Sequence, residues 1–459
     1  MIGILMFFTA LFMLLIGFPV AFTFAAVSVF FGLIAGIVEI YSSGGFEPSF
    51  ISGLSEGLVE GIAMFDFMPY RIFAIQQNTI LMAIPMFIFM GIVLQKTGLA
   101  EKLLESMGFL FGEIRGGIAI STVLVGSLLA ASTGVVGASV VAMGVISLPV
   151  MLKYKYSTQL ATGTICASGT LGQIIPPSIV LIILGDVFQV PVGDLFKAAI
   201  WPGLTLVASY ILYILIVAFI NKDLAPAIPA APDRGSKKQQ VLRALIDIIP
   251  ALTLILLVLG SIFMGIATPT ESSAVGCIGA ILLAILYRTF KIKMVKEAAL
   301  ESVKITSMVF AILIGATAFS MVFSYTGGEE IVEEFLTNLP GDDKWAFIIF
   351  TMLSILILGF FIDFVEISYI IVPILIPIAE ALQINPVWFA ILIAMNLQTS
   401  FLTPPFGFAL FYLKGVAPSS VKTVQIYRGV LPFIIIQILV LAIVAFYPEF
   451  FGMSTILGD

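Results

Sequence analysis

Histidine is absent from all 459 residues. That removes His-based metal ligation, serine-type triads and histidine proton relays from the chemistry open to this chain. Cysteine is nearly absent: Cys166 and Cys277 both sit inside apolar runs, so neither a disulfide framework nor a zinc knuckle is on offer. Charge is scarce as well. Only 10% of the residues are charged, against about a quarter in a soluble domain. No Lys or Arg precedes Arg71, and nothing before Glu39 is charged, so the N-terminus lacks the basic stretch of a secretory leader and reads as membrane span. A formal net charge of −6 carries no nucleic-acid signature. No G-x-x-x-x-G-K-[ST] phosphate loop occurs, which leaves an ion gradient as the power source. An intramembrane enzyme needs a His/Asp, Ser/Lys or metal constellation at membrane depth; only Asp363 and Glu366 remain as an acid pair, without a partner motif, so an enzyme is not expected.

What the chain has is hydrocarbon. Hydrophobic residues make up 60% and the mean hydropathy is +1.18, the composition of a polytopic membrane protein. Uncharged runs of roughly 20 residues, enough to cross a bilayer, include Ile72–Gln95, Ala198–Ile220, Ile248–Ala267, Ile305–Tyr325 and Gly429–Tyr447. Met1–Val38 is long enough for two crossings with a turn near Gly17–Val20, and Ser272–Tyr287 is a shorter one. Basic clusters fall at Lys153/Lys155, Lys222–Arg243, Arg288–Lys304 and Lys414–Arg428; acid-rich segments fall at Glu39–Asp66, Glu329–Asp343 and the C-terminus. Placing the basic loops inside leaves Gly116–Leu152 and Trp345–Glu380 entering and leaving by one face. Both are read as re-entrant hairpins. The expectation is about ten crossings plus two hairpins, with both termini outside.

Landmarks recur at a nearly fixed offset: Thr97-Gly98 with Thr326-Gly327, Pro149 with Pro377, Pro176-Pro177 with Pro404-Pro405, Pro191 with Pro418 and Pro202 with Pro432. An insertion within Glu39–Arg71 accounts for the wider spacing of Pro19 and Pro269. The expected organisation is a first repeat over 1–221, with scaffold helices in 1–95, a hairpin at 116–152, a broken helix at 156–185 and a helix at 198–220. A cytoplasmic linker at 222–243 leads to a second repeat over 244–459, with helices in 248–325, a hairpin at 345–380, a broken helix at 386–413 and a helix at 429–447. Five crossings per half invert the second copy. Inverted repeats with helices broken near the midplane point to the binding site of a secondary transporter.

Two prolines inside a helix each remove a donor and clash with the preceding turn. Gly169–Pro177 and Thr399–Pro405 are therefore read as unwound stretches within crossing helices, with Pro176, Pro177, Pro404 and Pro405 as the breakers. A repaired proline kink is the plainer alternative. Unpaired backbone groups in lipid are tolerated only where they line a cavity or hold a ligand: free carbonyls suit a cation, and the next half-helix N-terminus suits an anion. The first hairpin tip, "AASTGVVGAS" (Ala130–Ser139), is rich in Gly, Ser and Thr; close helix packing and Na⁺ ligation both fit it. The second, "GFFIDFVEIS" (Gly359–Ser368), carries Asp363 and Glu366. A carboxylate at membrane depth is a functional candidate by default. Asp363 is favoured as the cation ligand and Glu366 stays open, as does the choice between Na⁺ and H⁺.

The segments "AASTGVVGASVVAMGVISLPVMLKYKYS", "GTLGQIIPPSIVLIILGD", "GIATPTESSAVGCIGA", "FIDFVEISYIIVPILIPI" and "NLQTSFLTPPFGFALF" together resemble the large membrane subunit of tripartite ATP-independent periplasmic (TRAP) transporters. The resemblance spans essentially the whole chain. It implies an all-α, elevator-type exchanger with two re-entrant hairpins and two broken helices in the moving part. It further implies a small four-helix membrane subunit and a soluble periplasmic binding protein as partners in the bacterial inner membrane, and Na⁺-driven import of an organic acid with no organic cofactor. Carried over residue by residue, one Na⁺ site joins Ser132, Thr133 and Gly137 to Gly169–Gly172. A second joins Asp363 to Asn396, Thr399 and Thr403. Substrate carboxylate is placed near Ser139, Gln173, Ser178 and Gly407. Ser400, where the family often has Gly, and the bulky Phe406 and Phe408 depart from the pattern in a way similar to a branch associated with keto acids. A stand-alone Na⁺- or H⁺-coupled dicarboxylate or anion carrier of the same superfamily is the alternative.

Overall fold

The computed structural model describes residues 1–43, 50–134, 136–228, 237–337 and 343–453. Residues 229–236 of the expected linker, 338–342 of the second acidic segment and 454–459 of the acidic C-terminus lie outside the described residues, as do the side chains of Ser132 and Thr133. Among the described residues the secondary structure is helical throughout. Eight helices are long and apolar enough to cross a bilayer, nine if one bent pair counts as a single span.

The N-terminal apolar run divides into α1 (Ile2–Ile16) and α2 (Val20–Ser42). The turn is at Gly17, whose φ of 97° belongs to the left-handed region where only glycine is unstrained. The acid-rich stretch that follows holds two helices, α3 (Phe50–Ala63) and α4 (Met68–Gln77). Here the sequence reading is corrected, because Ile72–Gln95 is not one crossing. The Asn78 carboxamide oxygen accepts the N–H groups of Ile80 at 2.9 Å and Leu81 at 3.4 Å, an Asx turn that stops α4. The chain restarts as α5 (Ala83–Lys96), which bends by 57° into α6 (Leu99–Phe111). The apolar count had run across a break that one short polar side chain imposes.

The first hairpin is α7 (Gly117–Thr133) and α8 (Val136–Lys153). The first broken helix is α9 (Thr158–Thr170), a 3₁₀ turn at Leu171–Gln173, and α10 (Ile179–Val187). The long helices α11 (Val192–Ile220), α12 (Lys237–Phe263), α13 (Pro269–Leu286) and α14 (Ile292–Tyr325) follow. α12 thus begins inside the stretch read as linker. α13 starts at a capping box, in which Thr268 and Glu271 satisfy each other's backbone N–H groups. After α15 (Gly328–Thr337) comes the second hairpin: α16 (Asp343–Leu358), a turn, α17 (Phe364–Glu366) running into a π-helical turn at Ile367–Ile371, then α18 (Val372–Ala381). The second broken helix is α19 (Pro386–Leu402) and α20 (Phe408–Val416), and α21 (Thr423–Phe446) closes the series.

Backbone features recur at the offset seen in the sequence. Gly98 and Gly327 share a φ of 68°, Lys155 and Gln383 are left-handed at 59° and 54°, and Pro176-Pro177 and Pro404-Pro405 are both cis. Ser157 precedes α9 as Asn385 precedes α19.

The chain packs as two compact units, each drawing segments from both sequence halves. One comprises Met1–Leu81, Lys304–Ser354 and Phe361–Ile384; the other comprises Met82–Val303, Ile355–Phe360 and Asn385–Asp459. In the first, α2 and α3 meet through glycines. A Cβ on Gly57 lies 2.6 Å from the Ile37 Cα, one on Gly61 lies 2.7 Å from the Gly32 carbonyl oxygen, and one on Gly36 overlaps the backbone of α3. Such close approach is how helices associate where lipid supplies no hydrophobic drive. In the second unit Gly163 of α9 and Gly429 of α21 pack backbone to backbone, with no room for a side chain at either. Beside them the Tyr210 hydroxyl accepts from Gln437 Nε2 at 2.8 Å, both side chains being buried. These two residues lie 227 apart, one in each sequence half, so the halves bond to each other here.

Candidate functional site

The first hairpin and the first broken helix both belong to the second unit, and close backbone approach joins them. α7 ends at Gly134, φ 61°, whose N–H reaches the Ala130 carbonyl at 2.9 Å. A Cβ on Gly172 lies 2.8 Å from that same Ala130 oxygen, and one on Gly169 overlaps the Val140 side chain. A Cβ on Gly137 lies 2.9 Å from the Tyr412 ring of α20. Three of the predicted cation-site residues, Gly137, Gly169 and Gly172, are therefore positions where a side chain prevents the hairpin from seating. The backbones of Ser132 and Thr133 form the last turn of α7, whose carbonyls have no helical acceptor role left to fill.

Past Thr170 the helix tightens into 3₁₀ and stops, with the N–H groups of Ile174 and Ile175 both reaching the Leu171 carbonyl. Ser178 does two local jobs. Its hydroxyl donates to the Gln173 carbonyl at 2.7 Å and accepts from the Leu181 N–H at 3.4 Å, capping α10. That accounts for the serine without a substrate. Gln173 differs: its side chain is wholly buried and neither its amide nitrogen nor its amide oxygen has a partner. Burying an unpartnered polar group costs about 1–3 kcal/mol, a cost that nothing in the local packing offsets. Ser139 is buried on α8.

The second broken helix repeats the plan with different side chains. The Thr399 hydroxyl donates to the Met395 carbonyl at 2.9 Å and Thr403 to the Thr399 carbonyl at 2.7 Å. A hydroxyl that donates into its helix keeps its lone pairs for a cation. Asn396 is buried on the same helix. Gly407 precedes α20 with its N–H on the Thr403 carbonyl at 3.0 Å, and a Cβ there lies 2.7 Å from the Phe401 carbonyl. Phe406 is exposed, while Phe408 packs on Phe401 with ring centroids 5.1 Å apart. Ser400 fits where the family often has Gly because it faces Gly359 of the hairpin turn, where a Cβ overlaps the serine hydroxyl.

Sequence reasoning missed Gln398. It is fully buried on α19, its amide beside the Tyr210 hydroxyl that also bonds Gln437. The signal was an amide two residues from Ser400 in an otherwise hydroxyl-rich break. The two acids of the second tip differ in their surroundings. Asp363 lies in the first unit, half-buried, with Oδ1 accepting the Phe364 N–H at 2.7 Å as an N-cap. Glu366 is 3% exposed and its Oε2 has no partner; the backbone opens into a π turn immediately after it, a feature frequent at functional sites. Asn396, Thr399 and Thr403 belong to the second unit. No cluster of three or more His, Cys, Asp or Glu side chains occurs among the described residues, so the donor set consists of hydroxyls, amides, carbonyls and two carboxylates. Those are hard oxygen ligands, suited to an alkali cation rather than to zinc.

Comparison with known proteins identifies relatives over most of the chain. The chain is 32% identical over 379 residues to a C4-dicarboxylate TRAP transporter large permease protein of Pseudomonas aeruginosa, covering 82% of this chain and 86% of that protein. It is 28% identical over 399 residues to an isethionate TRAP transporter permease protein, DctMQ, of Oleidesulfovibrio alaskensis, covering 87% of this chain and 61% of that longer protein. Among solved structures, the YdaH transporter of Alcanivorax borkumensis superposes with a TM-score of 0.59 at 14% identity, over 86% of this chain and 90% of that one, a likeness of fold. Residues 7–450 match the tripartite ATP-independent periplasmic transporter family, DctM component, and the chain belongs to that family as a multi-pass large permease.

Proposed function

We propose that this permease carries an anionic organic acid across the bacterial inner membrane, coupled to two or more Na⁺ ions and moved by an elevator displacement. It receives its substrate from a soluble periplasmic binding protein and works beside a small four-helix membrane subunit. The observation that carries this reading is the wholly buried Gln173 of the first broken helix, whose amide has no partner, with Gln398, equally buried beside the Tyr210 hydroxyl, in the second. Each offers N–H donors that bind a carboxylate without themselves carrying charge. The half-helix N-termini at Ser178 and Gly407 add positive dipole. A substrate bound this way is released more easily than one held by a buried Arg.

The hairpin tips and unwound backbones suit Na⁺ through oxygen donors: Gly169–Gly172 with the end of α7 in one half, and Thr399, Thr403 and Asn396 in the other, with Asp363 a further candidate ligand on the family resemblance. When bound, the ions supply positive charge beside the anion and seat each hairpin; the residues themselves orient the acid and exclude water. Net positive charge entering gains about 2.3 kcal/mol per charge per 100 mV. The P. aeruginosa relative is named for C4-dicarboxylates and the O. alaskensis relative for isethionate, so a small anion is the common denominator. The double designation of the latter, DctMQ, supports a second membrane component.

Uptake of a labelled C4-dicarboxylate into proteoliposomes holding the permease and its small subunit tests the proposal, with and without the binding protein, under an inward Na⁺ gradient or an H⁺ gradient in choline. Uptake that needs both Na⁺ and the binding protein is the expected result. Uptake without the binding protein restores the stand-alone carrier, and uptake driven by H⁺ alone overturns the Na⁺ assignment.

A further inference from the structure

A groove of 480 Å³ runs along the second unit between α6, α7, α11 and α12. Leu124 and Leu128 of α7 face Leu252 and Leu256 of α12 across it, and Ile175 and Pro176 of the first broken helix form part of its wall. Of its lining side chains only Ser127 bears a nitrogen or oxygen, and that hydroxyl is spent on the Leu124 carbonyl at 2.8 Å. Volumes of about 300–1,000 Å³ hold small-molecule ligands, but these walls offer a polar ligand nothing. They offer water nothing either, since apolar cavities stay dry.

The chemistry of the mouth identifies the occupant. Leu204, Leu252 and Leu256 line the groove and are 50%, 39% and 65% exposed. They continue into exposed Leu212 on α11 and exposed Ile249 and Leu257 on α12, with exposed Thr253 the uncharged polar side chain between the last two. Both helices are membrane spans, so the groove is continuous with the lipid-facing surface and the solvent at its mouth is hydrocarbon.

We propose that one acyl chain of a bilayer phospholipid occupies this groove as a replaceable part of its wall. The chain touches Ala131, the residue before Ser132, and Ile175 and Pro176, which lie between Gln173 and Ser178. A hydrocarbon of adjustable length and unsaturation thus contacts both pieces of the first candidate site. The inference rests on the membrane location alone and stands whether or not Na⁺ drives transport.

The test reconstitutes the full chain in phosphatidylcholine vesicles bearing a photoactivatable diazirine on one acyl chain, and maps adducts by peptide mass spectrometry. Adducts on Leu124–Leu128 of α7, together with α12, are expected. Gly260 lines the groove, and a Cβ there meets nothing within 4 Å, so Gly260→Leu fills space without a clash; Leu256→Trp fills it from another position. Both variants are expected to lose the α7 adducts while keeping those on exposed Leu212 and Phe219. Adducts confined to the exterior of α11 and α12 in the unaltered chain overturn the proposal, as does α7 labelling that both variants leave unchanged. Loss of the α7 adducts on adding the small membrane subunit also overturns it, by assigning the groove to a protein helix.

Discussion

The two hairpin and broken-helix pairs follow one backbone plan and fill it with different chemistry. In the first, Gly172 lies against the Ala130 carbonyl. In the second, the position one repeat later is Ser400, seated against Gly359. The side-chain atoms have moved from hairpin to broken helix, and the space between the elements is conserved. Charge divides as unevenly: the first tip has no ionisable group between Ala130 and Ser139, while the second carries Asp363 and Glu366 within four residues. The half-helix caps differ too, with a serine hydroxyl before α10 and a bare glycine before α20. A duplicated backbone thus fixes where helices break, and the halves have specialised in what the breaks present.

The largest expected effect comes where both halves depend on one contact. Gly163 and Gly429 touch backbone to backbone, so Gly163→Leu forces α9 away from α21 and costs about 3 kcal/mol by overpacking. The readout is the thermal unfolding midpoint and yield of the detergent-purified chain. A variant as stable as the parent removes the premise that α9 and α21 form a rigid pair.

Next in size is the asymmetry of charge. A ligand at a hundredfold its Kd stabilises the folded state by about 2.7 kcal/mol. Thermal unfolding in NaCl against KCl and choline chloride at constant ionic strength is expected to show a Na⁺-specific rise that Asp363→Asn reduces. Glu366→Gln has a two-part signature: it keeps the shape of the buried side chain, whose Oε2 has no partner, so the midpoint without Na⁺ does not fall, and the Na⁺ increment shrinks because the variant cannot supply a negative charge. A Glu366→Gln variant less stable in choline means that the carboxylate is bonded in the folded chain and that the contrast between the tips is overstated.

How far this contrast was legible before any coordinates depends on what made each signal. Helix breaks were legible because proline and glycine act locally, and the repeat was legible because five landmarks moved together. Asp363 was legible because a carboxylate in an apolar run is conspicuous whatever surrounds it. Gln398 was not, since an uncharged amide looks the same in a sequence wherever it lies; only the packing of α19 reveals that it is wholly buried beside the Tyr210 hydroxyl. The stop at Asn78 was hidden for a similar reason. Its side chain ends α4 by bonding two backbone groups beyond it, and hydropathy windows average over such a bond. Ser178 went the other way: it was read as a substrate ligand from its place after the prolines, and its role as a cap shows only in its hydrogen bonds.

The exchange of side-chain volume between Gly172/Ala130 and Ser400/Gly359 makes a sharper test by a double-mutant cycle. Gly359→Ala places a methyl on the Ser400 hydroxyl and is expected to destabilise by about 1–3 kcal/mol. Ser400→Gly alone opens a small gap at a smaller loss, and the two together recover much of the first penalty. Contacting residues show coupling of about 0.5–3 kcal/mol. An additive cycle means that Ser400 and Gly359 do not share the space, and that the serine is held there by something outside the fold.

The smallest effect distinguishes a cap from a ligand. If Ser178 serves α10 alone, Ser178→Ala costs about 1 kcal/mol of stability and Ser178→Gly only a few tenths, the ordinary ranking of N-cap residues. Transport at saturating substrate is then unchanged in both, because the Gln173 carbonyl loses a donor without losing its position. A hydroxyl that touches the substrate gives another pattern: Ala and Gly raise the KM for uptake alike, Thr restores it, and stability ranks no differently from uptake. The second half supplies the internal control. Gly407 precedes α20 without any side-chain cap, so a working half-helix terminus is already present in this protein without a serine. The chain itself therefore favours the cap, and a rise in KM for Ser178→Gly at unaltered stability is the result that returns Ser178 to the substrate site.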